Sequence, residues 1–241
     1  MRDSIKCKKV AIYHNTDRLT LAQVKAKTGC THIMNGYLFN TKFEPLGWTV
    51  IDGKIITKDR YNDWGIAFDK AGAPKMSTDR TKSFLSGIPI LKNGARIYRN
   101  LTPDVARKAE RTAIGWYPNG RVVLWCDSEK LTRDELQVKL LSLGVSDALM
   151  LDGGGSTQCI FPEGKVYSSR KVATMLLFWD EDIKAEPVKN PTETKCPYAE
   201  PTKSIKKGSL GSGAKWVQWQ LNRHGAYLVV DGNFGKASVT A

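Results

Sequence analysis

Apolar and polar residues alternate with a period of two through KKVAIYH (Lys8–His14), which reads as a half-buried strand. LTLAQVKAKTG then shifts to helical spacing and stops at Gly29, a residue suited to the left-handed position just past a helix. CTHIMNGYLFN returns to strand and runs into a loop. Tight connections follow: Asp52-Gly53 between GWTVI and KIITK, Asn93-Gly94 between IPILK and ARIYR, and Pro118-Asn119-Gly120 between TAIGWY and RVVLWC. Each sets residues that tolerate positive φ between strand formers, the pattern of a β-hairpin. TRDE (Thr132–Glu135) is a capping box at the head of RDELQVKLLSL, with Gly144 past its end. SDALML and VATMLLFW read as short apolar strands. Many hairpins and few helices predict an α+β fold, a mostly antiparallel mixed sheet with a few packed helices.

From Asp180 to about Ser204 the pattern stops. EDIKAEPVKNPTETKCPYAEPTKS holds four prolines, many charges and almost no aliphatic periodicity, the composition of a linker. Apolar residues return after it. The expected organisation is a main domain over 1–180, a Pro- and charge-rich linker over 181–204, and a small helical module over 205–241. In that module Trp216, Val217 and Leu221 have helical spacing and are expected in its core.

Composition narrows the classes of function. The 241 residues, 41% hydrophobic with seven tryptophans, can bury a sizeable core, and the formal net charge of +13 favours a polyanionic partner. Nucleic acid is not expected to be that partner, because no RNA-binding signature, helix-turn-helix or zinc-finger spacing is present. The five cysteines, at 7, 30, 126, 159 and 196, are too dispersed for a disulfide framework or a metal-binding pair. His14, His32 and His224 lack zinc-ligand spacing. No segment approaches the ~20 apolar residues of a membrane span. The N-terminus lacks the ~7–15-residue apolar run of a signal peptide, so synthesis in the cytoplasm is expected.

LDGGGSTQC (Leu151–Cys159) adds chemistry. Three glycines between an aspartate and a serine expose backbone amides at a strand tip, although such a run is more often a turn than a site. Taken with NGYLFN (Asn35–Asn40) and ERTAIGW (Glu110–Trp116), in that order and spacing, it resembles the phosphodiester glycosidase family, the family of the uncovering enzyme. SGIPILKNGARI and SRKVATMLLFW resemble that family's intermediate hairpin and closing strand, so the resemblance covers about residues 8–180.

The resemblance implies cleavage at the anomeric carbon of a sugar-1-phosphodiester. A phosphate monoester leaves readily, so little general-acid help is needed. The site does need a cation for the phosphate and a carboxylate to activate water or steady an oxocarbenium-like sugar. On this reading Asp152 is the carboxylate and Arg111 the phosphate clamp, since guanidinium matches phosphate in a two-pronged fork. Arg170 is a second cation, the amides of Gly153, Gly154 and Gly155 face an oxyanion, and Asn35, Gly36, Asn40, Thr112 and Ser156 contact substrate. No cofactor is implied, and a divalent cation is left open. The chain departs from the family where Tyr37 replaces a second glycine, where Asp127-Ser128 stands in place of Asp-Gly, and at Ser169, where an acidic residue is common.

The tail resembles the peptidoglycan-binding module of wall hydrolases, through KKGSLGSGAKWVQWQL, Gly225, Tyr227 and VDGNFGKASVTA, and it stops before that module's last helix would finish. The combined expectation is a hydrolase of a phosphorylated glycan or teichoic-acid-like polymer. It would bind peptidoglycan through its tail, act at the wall after release as phage lytic enzymes do, and have no membrane or nucleic-acid partner. Two rivals are a phosphodiesterase acting at phosphorus on a nucleotide or nucleotide-sugar, and a glycan-binding protein without turnover.

Overall fold

The computed structural model describes residues 2–59, 64–69, 73–180, 196–223, 230 and 232–239. The chain divides into two compact units, Met1–Leu21 with Cys30–Ala185, and Ala22–Gly29 with Glu186–Ala241. Residues 181–195, most of the expected linker, lie outside the described residues, as do His224, Gly225 and Tyr227 of the tail.

In chain order the elements begin β1 (Arg2–Ile5), β2 (Cys7–His14), α1 (Leu21–Thr28), β3 (His32–Asn35), β4 (Thr49–Ile51), β5 (Lys54–Thr57), β6 (Gly65–Phe68), β7 (Lys75–Ser77) and β8 (Ser83–Ser86). They continue β9 (Ile88–Lys92), β10 (Ala95–Arg96), α2 (Pro103–Ala106), β11 (Ala109–Trp116), β12 (Val122–Leu131), α3 (Arg133–Ser142) and β13 (Asp147–Met150). After a 3₁₀ turn at Gly154–Ser156 come β14 (Cys159–Phe161), β15 (Gly164–Val166), β16 (Thr174–Asp180), α4 (Ser212–Arg223) and α5 (Lys236–Val239).

The first unit is α+β, and its strands form three sheets. Their orders are β1-β12-β11-β13-β9-β10, β15-β14-β3-β16-β2 and β5-β4-β8-β6-β7. Among the described residues every strand pairing is antiparallel, so the expected mixed character is not seen. Ile114, Leu124 and Leu149 from the first sheet share one apolar core with Met34, Leu176 and Phe178 from the second and Ile66 and Leu85 from the third. Burial of these side chains supplies the main driving force, about 1.5–3 kcal/mol for each large one.

Local chemistry sets the hairpins. Asp52 and Gly53 have φ of 49° and 81°, and Asn93 and Gly94 have 49° and 74°, so each turn twists as its strands do. The capping box on α3 is reciprocal: the Glu135 N–H donates to Thr132 Oγ1 (3.2 Å), and the Thr132 N–H donates to Glu135 Oε2 (2.7 Å). Buried Gln137 fastens α3 by donating from Nε2 to the carbonyls of Ile90 (2.7 Å) and Ile97 (3.0 Å).

In the second unit Ala214, Gln218 and Trp219 form the buried side of α4, whereas Trp216, Val217 and Leu221, expected there, are only half-buried. Gln218 Nε2 donates to Asn233 O and Ser238 Oγ, and its Oε1 accepts from the Gly232 N–H. One amide thus ties α4 to the turn that precedes α5. None of the five cysteines forms a disulfide, and no helix among the described residues is long and apolar enough to cross a membrane.

Candidate functional site

The chain leaves the first sheet at the end of β13 and enters the second at β14, and the glycine run is the crossing. Backbone bonds pin both ends: the Leu151 N–H donates to Thr112 O (2.8 Å), the Asp152 N–H to Gly36 O (3.2 Å), and the Asn35 N–H to Gln158 O (3.1 Å). The Asn35 side chain sits at the centre, fully buried. Its Nδ2 donates to Asp152 O (2.9 Å) and Gly36 O (3.2 Å), while its Oδ1 accepts from Thr112 Oγ1 (2.8 Å) and the Gln158 N–H (3.1 Å). An amide group offers two donors and two acceptor positions, so Asn35 has none left for a sugar. Thr112, expected to bind substrate, is buried behind it.

Each glycine answers to a different constraint. A Cβ on Gly36 would lie 2.3 Å from Thr174 Oγ1 and 2.9 Å from Thr174 O, and one on Gly153 would lie 2.6 Å from Glu110 O. Gly154 has φ of +59°, in the left-handed region. At Gly155 the nearest neighbours would be Arg170 guanidinium atoms at 3.5 Å, an ordinary contact. The Gly153 amide, expected to be open, donates instead to Asp152 Oδ1 (2.9 Å). Those of Gly154 and Gly155 have no partner among the described residues. Tyr37, where the family pattern has a second glycine, is buried in the core. Asp127-Ser128 lies where the β11–β12 register shifts between Glu110 and Arg111, a bulge of the kind that re-aims side chains near sites.

Asp152 is 9% exposed, and burial raises its pKa above the ordinary carboxylate value. The Ser156 hydroxyl, the Gly153 N–H and the Arg170 charge act against that rise, and Asp104 adds to it. Arg170 reaches Ser156 Oγ at 3.4 Å, and its own backbone is held by Ser168 Oγ (3.1 Å) and Gln158 Nε2 (2.8 Å). Arg170, Ser156 and Asp152 therefore gather at one turn.

Arg111 does not join them as an open clamp. It is 3% exposed, and its Nε donates to Leu131 O (2.8 Å), Nη1 to Val105 O (3.1 Å), and Nη2 to Arg107 O. Burial, and then the Arg107 charge, pulls its pKa below the ordinary arginine value. The expectation of an exposed phosphate contact gives way to a buried strut that carries the segment from α2 to Arg107. Arg107 is the cation that sequence reasoning missed. It is exposed, and a Cβ on Gly154 would meet its Nη2 at 3.3 Å. Its one visible sequence signal was its position four residues ahead of Arg111.

Asn40 belongs elsewhere. Its Nδ2 donates to Glu44 Oε2 (2.8 Å) and its Oδ1 accepts from the N–H groups of Lys42 (2.9 Å) and Glu44 (3.0 Å), so it organises its own loop at the edge of a cleft. Among the described residues no group of three or more His, Cys, Asp or Glu side chains is placed to hold a metal.

Comparison with known proteins places this geometry. Against curated protein sequences the chain finds no match. Among solved structures it is similar to the catalytic domain of zebrafish N-acetylglucosamine-1-phosphodiester alpha-N-acetylglucosaminidase, auto-inhibited by its pro-peptide, with 22% identity, a TM-score of 0.58, and 71% of this chain and 73% of that one covered. It is also similar to a hypothetical protein from Synechocystis, with 12% identity, a TM-score of 0.61, and 73% and 57% covered. At these identities the likeness is one of fold. The sequence model of the phosphodiester glycosidases matches residues 28–179, well over half of the chain and every part of the Asp152 turn, and the chain belongs to the phosphodiester glycosidase family.

Proposed function

We propose that the Asp152 turn cleaves a sugar-1-phosphodiester within a phosphorylated glycan or teichoic-acid-like polymer of the cell wall. The observation that carries this reading is a buried carboxylate of raised pKa with Arg107 and Arg170 against the adjacent glycines, beside two amides that have no partner among the described residues. Arg107 and Arg170 hold the departing phosphate, with the Gly154 and Gly155 N–H groups aimed at its oxygens. Asp152 takes a proton from the attacking water or faces the positive anomeric carbon, and its raised pKa makes it the stronger base. Arg111 and Asn35 are positioning residues: one sets the Arg107 segment, the other the Asp152 backbone. The surplus of cations, formally +13 over the whole chain, suits a polyanionic substrate. The second unit supplies attachment to peptidoglycan.

The test is hydrolysis of a panel of sugar-1-phosphodiesters in isotopically labelled water. Label in the free sugar supports attack at the anomeric carbon, and label in the phosphate means attack at phosphorus and overturns the reading. Arg107→Ala and Arg170→Ala should each lower kcat/KM by about 10²–10³, the effect of losing one preorganised charge-stabilising group.

A further inference from the structure

Among the described residues, four other than glycine have positive φ: Arg18 (53°), Phe43 (69°), Asp52 (49°) and Asn93 (49°). The last two are hairpin-turn positions. Arg18 and Phe43 are not, and for a bulky aromatic this conformation is an outlier that costs about 1–2 kcal/mol. Strain of this kind persists where the surroundings over-determine it, and it clusters at ligand sites.

The two strained residues are built alike. The Arg18 N–H donates to Asn15 O (3.2 Å), and the Phe43 N–H donates to Asn40 O (3.0 Å), so each closes a turn three residues after an asparagine. Asn15 straps its turn through both amide atoms to the Leu19 backbone, at 2.8 and 2.9 Å, and Asn40 straps its own through Lys42 and Glu44. The result sets the Arg18 guanidinium 4.3 Å from the Phe43 ring centroid, with Phe39 edge-on to Phe43 at 5.4 Å.

These turns line a cleft of about 550 Å³ that also takes in Lys42, Lys58 and Glu44. Arg18, Lys42 and Lys58 are exposed, and none makes an ion pair among the described residues. Among the described residues Glu44 is the one carboxylate on the wall, and it already accepts from Asn40. Three cations face one occupied acid in a concave, partly aromatic setting, which focuses positive potential on whatever enters. His14, on the same wall, pairs in register with Thr174, the residue whose carbonyl takes the Gly36 N–H. The cleft thus begins one strand away from the Asp152 turn.

We propose that this cleft is a phosphate subsite, in which Arg18, Lys42 and Lys58 hold a neighbouring phosphate of a polymeric substrate while the Asp152 turn acts on another. The polymeric part rests on the reading of the Asp152 turn given above; the phosphate part does not. Guanidinium and ammonium groups together suit a tetrahedral dianion, and the Phe43 ring keeps the guanidinium fork flat and presented.

The phosphate part is tested without turnover. Calorimetric titration with inorganic pyrophosphate is run on an Arg107→Ala/Arg170→Ala chain, with and without Arg18→Ala/Lys42→Ala added. Binding should persist in the first and weaken at least about tenfold in the second, with a shallower dependence on salt. Absence of binding in the first, or equal affinity in both, overturns the subsite. A Phe43→Asn chain gives a second reading, because asparagine accepts positive φ: thermal stability should hold or rise while pyrophosphate affinity falls. The polymeric part is tested by KM for substrates with one and with several phosphodiesters. For the unaltered chain KM should drop as repeats are added, and Arg18→Ala/Lys42→Ala should abolish that drop. Pyrophosphate binding without any dependence on repeat number assigns the cleft to free phosphate and overturns the polymeric part.

Discussion

Replacing Arg111 by alanine separates a strut from a ligand contact, because the two roles differ in what else they damage. Three hydrogen bonds are lost, to Leu131 O, Val105 O and Arg107 O. The first is buried and charge-assisted, worth about 1.5–3 kcal/mol. The other two are part-buried and water can replace the donor, so they contribute about 0.5–1.5 kcal/mol each. The expected loss is about 2.5–6 kcal/mol, a large part of the ~5–15 kcal/mol that holds a domain together. Urea titration followed by tryptophan fluorescence reads it directly, since Trp116 and Trp125 lie on β11 and β12 and are 8% and 4% exposed. Activity should fall too, but through Arg107, so Arg107→Ala and Arg111→Ala should be strongly non-additive in kcat/KM. Stability within about 1 kcal/mol of the unaltered chain, with additive kinetic losses, would refute the strut and restore Arg111 as a direct phosphate ligand.

Asp152→Asn should slow turnover at least about 100-fold while raising the thermal midpoint at neutral pH. Burial lifts the Asp152 pKa, so the folded chain binds that proton more tightly than the unfolded one. Stability from this group is therefore fully present below the ordinary value and lost as pH rises through the folded pKa. The midpoint advantage of the asparagine chain should shrink between about pH 8 and about pH 4; an advantage that stays constant across scanning calorimetry at both ends counts against the burial argument. Gly153→Ala should inactivate the enzyme and lower stability, because its Cβ would sit 2.6 Å from a backbone oxygen, whereas Gly155→Ala meets nothing closer than 3.5 Å and should keep its thermal midpoint. Equal thermal shifts in the two chains would show that the turn adapts.

What was legible in the sequence was chemistry that acts over a few residues. The Asp-Gly and Asn-Gly hairpins and the TRDE cap depend on φ preferences and on bonds reaching three positions along the chain, and they formed where expected. The ordered motifs also located the crossing that carries Asp152 and Ser156, and the segment before β16 that brings Arg170 beside it. Side-chain destinations were not legible. Arg111 and Asn35 are polar residues in matched segments, which suggested ligand contacts, yet both are buried: Arg111 donates to the Leu131, Val105 and Arg107 carbonyls, and Asp152, Gly36, Thr112 and Gln158 take up the Asn35 amide. Arg107 stood in no motif at all, since its place depends on the buried Arg111 side chain that holds its carbonyl. Asn40 read as part of the same site as Asn35 because both lie in NGYLFN, but its side chain is taken up within its own loop by Lys42 and Glu44.

Asn35 precedes a glycine, and an Asn-Gly step is the backbone sequence most prone to cyclise to a succinimide and open as aspartate. That reaction needs the glycine nitrogen to attack the asparagine side-chain carbonyl. In the folded chain the Gly36 N–H is bound to Thr174 O at 2.8 Å and the carbonyl oxygen is held by two donors. The fold therefore protects its own keystone from chemical ageing, and the protection lapses whenever the first unit opens. A chain that ages to aspartate while unfolded meets Asp152 O with an acceptor where a donor is required, so it refolds poorly if at all. Recovery after heating should then decline with time held unfolded and not with the number of cycles, making the covalent lifetime of Asn35 a readout of how long the first unit spends open.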